Sequence, residues 1–228
     1  MSNHIETMSN PWLSIPLAEY EGHMKSAEVQ QLNVLSELFA EALSCCSPES
    51  VAVLGIAGGN GLEHIDGNIT RRIVGLDVNP LYLDEVRRRY AGKCDLELHC
   101  LDLAVQHVDL EPVRLVHAAL VLEHAGVGLC LENALSLVAP AGYLSAVLQL
   151  PSASDPTVGA SPFSSIQRLE SPFSLIDPAW FRERLGERGF SLMRETRRSL
   201  VSGKGFWMGV FGSAVPGGPA GEVFVQRG

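Results

Sequence analysis

Lysine is almost missing from this chain. Lys25, Lys93 and Lys204 are its only three, and arginine supplies the rest of the 17 basic residues, set against 26 acidic ones. The formal net charge of −9 gives the surface a field that repels phosphate backbones and anionic membranes, so nucleic acid and lipid surfaces are disfavoured as partners. Also absent is any run of about 18 apolar residues, the length a membrane span requires. The start MSNHIETMSNPWLS has no basic segment followed by an apolar core, and the expectation is an unexported, cytoplasmic protein. The five cysteines, Cys45, Cys46, Cys94, Cys100 and Cys130, are odd in number and lack CxxC spacing. That suggests neither a disulfide framework nor a zinc site, and no metal is expected.

What is present is enough for one core. With 228 residues and 46% hydrophobic side chains the chain can fill a single domain and would be small for two. The first periodic segment is MKSAEVQQLNVLSELFAEAL, where Val29, Leu32, Leu35, Leu38, Phe39 and Leu43 recur at three- and four-residue steps, predicting an amphipathic helix that ends near CCSPES. Short apolar runs follow in alternation with helical stretches. VAVLGIA, RIVGLDV, DLELHC, VRLVHAAL and YLSAVLQL read as strands, with helices expected after Gly61, around LYLDEVRRRY and around LCLENALSLV. Such alternation predicts βαβ units on a parallel sheet, and VAVLGIA, apolar throughout, fits a central strand covered on both faces.

After Leu150 the texture changes to PSASDPTVGASPFSSIQRLESPFS, whose serines and prolines read as a lid or loop. DPAWFRERLGERGF offers a helix capped by Asp177 with proline in its first turn. SLMRETRRSLV and GFWMGVFG, separated by SGKG, predict a hairpin. The tail AVPGGPAGEVFVQRG carries too much glycine and proline for a regular element. The chain is therefore divided into an N-terminal helical lid segment over 1–46, a main domain over 47–213 and a tail over 214–228.

The stretch VLGIAGGNGLEH drops from an apolar run into a loop with three glycines within four positions. The dinucleotide fingerprint GxGxxG fails in it: counted from Gly59, His64 stands where a glycine is needed, and counted from Gly55, Ala57 and Asn60 do. Nor does a GK[ST] follow to make a phosphate-binding loop. The small residues alternate instead as Ala57, Gly59 and Gly61. In this the loop resembles the first motif of the class I S-adenosylmethionine-dependent methyltransferases, an acid followed by Gly-x-Gly-x-Gly, with Gly55 at the acid position and Ala57 at the first glycine as departures.

Three later landmarks extend the resemblance as far as about Gly142. RRIVGLDVNP ends in Asp77, which the resemblance assigns to the ribose hydroxyls, with Val78 beside it. DLELHCLDL places Asp102 at the adenine amino group, with Leu101 or Leu103 on the ring. VRLVHAALVLEHAG ends the fourth strand at Ala118 and Ala119 and continues into Val121–His124, a VLEH form frequent in the family. The resemblance thus implies a seven-stranded, mostly parallel sheet with helices on both faces and a C-terminal antiparallel hairpin. It also implies S-adenosylmethionine as cofactor, held by Ala57, Gly58, Gly59, Asn60 and Gly61 together with those later residues, and methyl transfer to a small-molecule acceptor.

That cofactor carries no phosphate, so a bare backbone, an acid for the ribose and a slot for adenine suffice, which agrees with the scarcity of lysine. For catalysis the candidates are His124 in VLEH and, from AEYEGHM before the first amphipathic helix, Tyr20 and His23, with Met24 beside them. Methyl transfer is a displacement at an already activated carbon, so the protein mainly aligns the partners and removes a proton where the acceptor is weakly acidic. The Asp/Asn-Pro-Pro-aromatic sequence of base methylases is missing after the fourth strand, where AALVLEH stands. Two other readings stay open: a methyltransferase-like interaction module without catalysis, and a nicotinamide-dependent oxidoreductase.

Overall fold

The computed structural model describes residues 10–26, 29–92, 95–152, 162–169, 173–200 and 203–214. A 3-10 turn at Pro11–Ser14 leads into α1 (Leu17–Lys25) and α2 (Gln31–Cys46). β1 (Ser50–Leu54), β2 (Arg72–Asp77), α3 (Pro80–Arg89), β3 (Leu96–Cys100), β4 (Val113–Ala119), α4 (Val121–Ala125), α5 (Leu129–Ser136) and β5 (Val138–Leu150) follow. The chain then closes with α6 (Pro178–Gly186), β6 (Phe190–Ser199) and β7 (Gly205–Ser213).

The strands form one seven-stranded sheet in the order β3-β2-β1-β4-β5-β7-β6. Pairing is parallel from β3 through β5, while β7 runs antiparallel to both β5 and β6, as the hairpin signal predicted. The period of two in β1 explains its unbroken apolar sequence. Ala52 and Leu54 belong to one core layer with Leu122, Leu131, Phe181 and Trp207, whereas Val51 and Val53 belong to the other with Phe39, Ala42, Leu83 and Val86. Helices α2 and α3 thus cover one face of the sheet, and α4, α5 and α6 the other.

Local capping follows the sequence. Asp177 accepts from the Ala179 amide at 2.8 Å at the start of α6, and Asn79 from the Leu81 amide at 3.0 Å at the start of α3, each followed by proline at the first helical position. Two expectations are corrected. The amphipathic helix starts only at Gln31, because Gln30 has φ +47° and separates it from α1. After Gly61, at φ +91°, only a 3-10 turn over Leu62–His64 forms. Asp66-Gly67-Asn68 then turns the chain, the Asp66 carboxylate accepting the Asn68 amide at 2.8 Å, and little chain remains before β2.

The tail from residue 215 and the Ser/Pro-rich stretch over 153–161 lie outside the described residues. Among the described residues no helix is long and apolar enough to cross a membrane.

Candidate active site

Because β1 and β4 are neighbours while β2 and β4 lie on opposite sides of β1, the strand order reverses there, and a crevice opens at the C-terminal ends of the strands. A cavity of about 440 Å³ occupies that place. Its walls come from the turns after β1, β2, β3 and β4, from the end of β5 and the start of β7, and from the N-terminal segment lying across them.

At one end stand two carboxylates. Asp77, the last residue of β2, is 6% exposed; it accepts from the Ala57 amide at 2.9 Å and from the Asn79 amide at 2.9 Å. Burial lifts its carboxyl to about 6, and the backbone N–H donors from Asn79, Ala57 and Val78 oppose that rise. The helix cap is Asn79, so Asp77 has no capping duty in α3. Asp102, just beyond β3, accepts from Asn10 Nδ2 at 2.8 Å and from the Ala104 amide at 2.9 Å. Leu101, Leu103 and Val105 make this end an apolar slot beside the carboxylates.

The N-terminal segment forms the roof. It is held by Asn79 Nδ2 donating to the Trp12 carbonyl at 2.9 Å, by the Tyr82 hydroxyl donating to the Ile15 carbonyl at 2.9 Å, and by the ion pair of Glu21 with Arg89. Trp12 stands edge-on to Tyr20 (5.4 Å, 79°) and to His124 (4.9 Å, 85°), and His124 in turn meets Phe173 (4.8 Å, 71°). The three candidate catalytic groups, Tyr20, His23 and His124, all line the cavity. Burial first, then Asp77 and Glu21, hold the Tyr20 hydroxyl well above its ordinary range, so it stays a proton donor. Burial lowers His124 to about 4, and burial followed by Lys204 lowers His23, so both imidazoles are neutral at pH 7.

Of the expected cofactor residues, Ala57, Asp77, Val78, Leu101, Asp102, Leu103 and Ala119 meet at the cavity wall. Gly58, Gly59, Asn60, Gly61 and Ala118 are not among the described residues that line it. A side chain at three of these positions would meet protein. A Cβ on Gly59 would stand 2.7 Å from Tyr90 Cε2, one on Gly61 2.8 Å from Phe39 Cδ1, and one on Gly58 would collide with the Glu21 carboxylate. Asn60 Nδ2 donates to the Leu32 carbonyl at 2.9 Å, fastening the loop to α2. The turn after β1 is thus bare because α1, α2 and the end of α3 close on it.

Sequence reading missed Trp12, Gln31, Gln149, Phe173 and Lys204, all of which line the cavity. Their signal was weak: Lys204 sits in SGKG, which reads as a turn, and Gln149 sits in an apolar strand. His117, in β4, is a core residue. It stacks on Phe39 at 4.4 Å, lies 3.1 Å from the Ser145 hydroxyl, and is lowered to about 3 by burial. Among the described residues no group of His, Cys, Asp and Glu is arranged to hold a metal.

Comparison with solved structures gives the fold its class. The N-methyltransferase NodS from Bradyrhizobium japonicum WM9, in complex with S-adenosyl-l-homocysteine, superposes with a TM-score of 0.63 at 14% identity over 90% of this chain and 98% of that one. Magnesium protoporphyrin IX methyltransferase (ChlM) from Synechocystis PCC 6803, with bound SAH, gives 0.65 at 13% identity over 89% and 96%. The [4+2]-cyclase SpnF gives 0.62 at 12% identity over 82% of both chains. The architecture is the class I methyltransferase fold, as the motif order implied. No family model matches the chain, and no curated protein matches it by sequence.

Proposed function

We propose that the protein binds S-adenosylmethionine in this cavity and transfers its methyl group to a small organic acceptor. The observation that carries the reading is the pair Asp77 and Asp102 at the ends of adjacent strands β2 and β3, beside an apolar slot and with no arginine or lysine among the described residues that line that end. A buried carboxylate at the end of β2 suits the two hydroxyls of a ribose, and Leu101 and Leu103 suit the faces of a purine. Against Gly58 stands the Glu21–Arg89 ion pair, whose guanidinium charge is already met by a carboxylate and so offers a pyrophosphate no spare cation there. That NodS and ChlM are solved with S-adenosylhomocysteine supports the same cofactor.

When bound, the cofactor supplies an activated methyl group. The chain supplies alignment, exclusion of water under the N-terminal roof, and groups suited to a proton. Tyr20 is a donor, while the neutral rings of His23 and His124 can each accept a proton. Because SpnF has the same architecture, the fold alone does not select methyl transfer, and the site bears the assignment.

Isothermal titration tests it. S-adenosylmethionine and S-adenosylhomocysteine are expected to bind at one site per chain and NADH not at all. Binding of NADH with no binding of either sulfur compound would replace this reading with the oxidoreductase one, and tight cofactor binding without turnover on any acceptor would favour the interaction module.

A further inference from the structure

Among the described residues that line the cavity, the only ionised side chains are Asp77, Asp102 and Lys204. Each is already engaged within the protein: Asp77 with the Ala57 and Asn79 amides, Asp102 with Asn10 and the Ala104 amide, and Lys204, like Gln149, with partners of its own. The space between them is walled by rings. Trp12 meets both Tyr20 and His124 near-perpendicularly, and His124 meets Phe173 in the same way, so the four rings form a chain from the roof to the residue after β4's turn. The His124 Nδ1 atom is buried without a hydrogen-bond partner among the described residues. Aromatic packing on Trp12 and Phe173, and not a carboxylate or carbonyl at that nitrogen, therefore orients the imidazole. His23 belongs elsewhere, since the Lys204 charge helps to lower it and places it toward the β7 end.

From this arrangement we infer that the methyl acceptor is an uncharged aromatic molecule, seated against this chain of rings and presenting a phenolic hydroxyl to the His124 imidazole. The inference rests on the methyl-transfer reading and extends it to the acceptor. A charged acceptor would give up its hydration here without a free counter-charge to meet it. A flat aromatic body instead finds ring faces and edges on Trp12 and Phe173. The hydroxyl follows from the base. Burial alone lowers His124 to about 4, with no neighbouring acid to raise it, so it suits a hydroxyl that is itself acidic. A phenol, with a pKa of about 10, meets that condition better than an aliphatic alcohol. In the transfer the hydroxyl oxygen attacks the methyl carbon, and a C–O bond forms as the methyl–sulfur bond breaks. The bonding pair stays on sulfur in S-adenosylhomocysteine, and the hydroxyl proton passes to a ring nitrogen of His124 and then to water. The products are an aryl methyl ether and one released proton.

The test uses the full chain saturated with S-adenosylhomocysteine and three probes, para-cresol, 2-naphthol and para-phenylphenol, each compared with its ring-saturated alcohol and its methyl ether. At least one phenol is expected to bind about tenfold more tightly than its saturated alcohol and about fivefold more tightly than its ether. His124→Phe should remove the preference over the ether and keep the preference for an aromatic ring. Trp12→Leu and Phe173→Leu should each reduce the latter. With S-adenosylmethionine in place of the product, the preferred phenol should yield its methyl ether. Equal binding within every set, measured on the unsubstituted protein, overturns the inference whatever the variants do. Tighter binding of the cation para-methylbenzylamine than of any phenol overturns the uncharged acceptor. A preference over the ether that survives in His124→Phe overturns the assignment to His124, and the expected preferences without any ether formed overturn the role as acceptor. Failure of S-adenosylhomocysteine to bind would instead remove the methyl-transfer reading, and this inference with it.

Discussion

Asp77 connects burial to a measurable pH dependence. Its carboxyl, raised to about 6, binds its proton more readily in the folded chain than in the unfolded one. Its stability contribution is therefore fully present below about pH 4 and lost as pH rises through about 6. Cofactor affinity has the opposite sign, because the ionised form is the one that accepts from two hydroxyls. The dissociation constant for S-adenosylhomocysteine should weaken as pH falls through 6, by up to about tenfold per unit, and titrations at pH 5, 6 and 7 would show it. Asp77→Asn removes the charge and one acceptor, so at pH 7 it should weaken binding by about one to two orders of magnitude and flatten the pH profile. An unchanged constant in that variant would refute the ribose assignment. Gly59 belongs to a different category: it has φ +81° and packs on Tyr90 and Leu62. Gly59→Ala should cost roughly 2 kcal/mol of stability, read as a fall of about 4–8 °C in melting temperature, while the folded protein keeps its affinity for S-adenosylhomocysteine.

The N-terminal roof is the element that links fold to ligand. The segment from Asn10 through α1 contributes Trp12, Tyr20, His23 and Met24 to the cavity; side-chain bonds with Asp102, Asn79, Tyr82, Arg89, Ser165 and Arg168, and the burial of Ile15 and Met24, tie it to the rest of the molecule. Because this segment roofs the cavity, a ligand beneath it should raise the cost of opening it. Limited proteolysis between residues 10 and 30 is expected to slow several-fold with S-adenosylhomocysteine; equal rates with and without it would count against closure. The central strands were legible in the sequence because strands buried on both faces must be apolar throughout; the order of the strands across the sheet was not read from it. The helix expected after Gly61 was not, since Gly61 and the Asp66-Gly67 turn outweigh the weak helical pattern of LEHI. Nor was the close approach of α1, α2 and Tyr90 to Gly58, Gly59 and Gly61, which depends on tertiary packing that local sequence does not encode. Lys204 read as part of a turn because nothing in SGKG tells which side of the sheet edge its side chain takes.

At the scale of the whole molecule, one sheet edge carries the functional reading: acids after β2 and β3, the aromatic group of Trp12, Tyr20, His124 and Phe173 across the middle, and Lys204 at the start of β7. Amide hydrogen exchange across the full chain, with and without S-adenosylhomocysteine, examines the arrangement in one measurement. Slower exchange is expected in the turns after β1, β2 and β3, over 55–57, 77–79 and 101–105, and in α1, with β6 unchanged. Unaltered exchange in those turns at saturating S-adenosylhomocysteine, or protection confined to another face of the sheet, would contradict the placement of the cofactor and with it the proposed function.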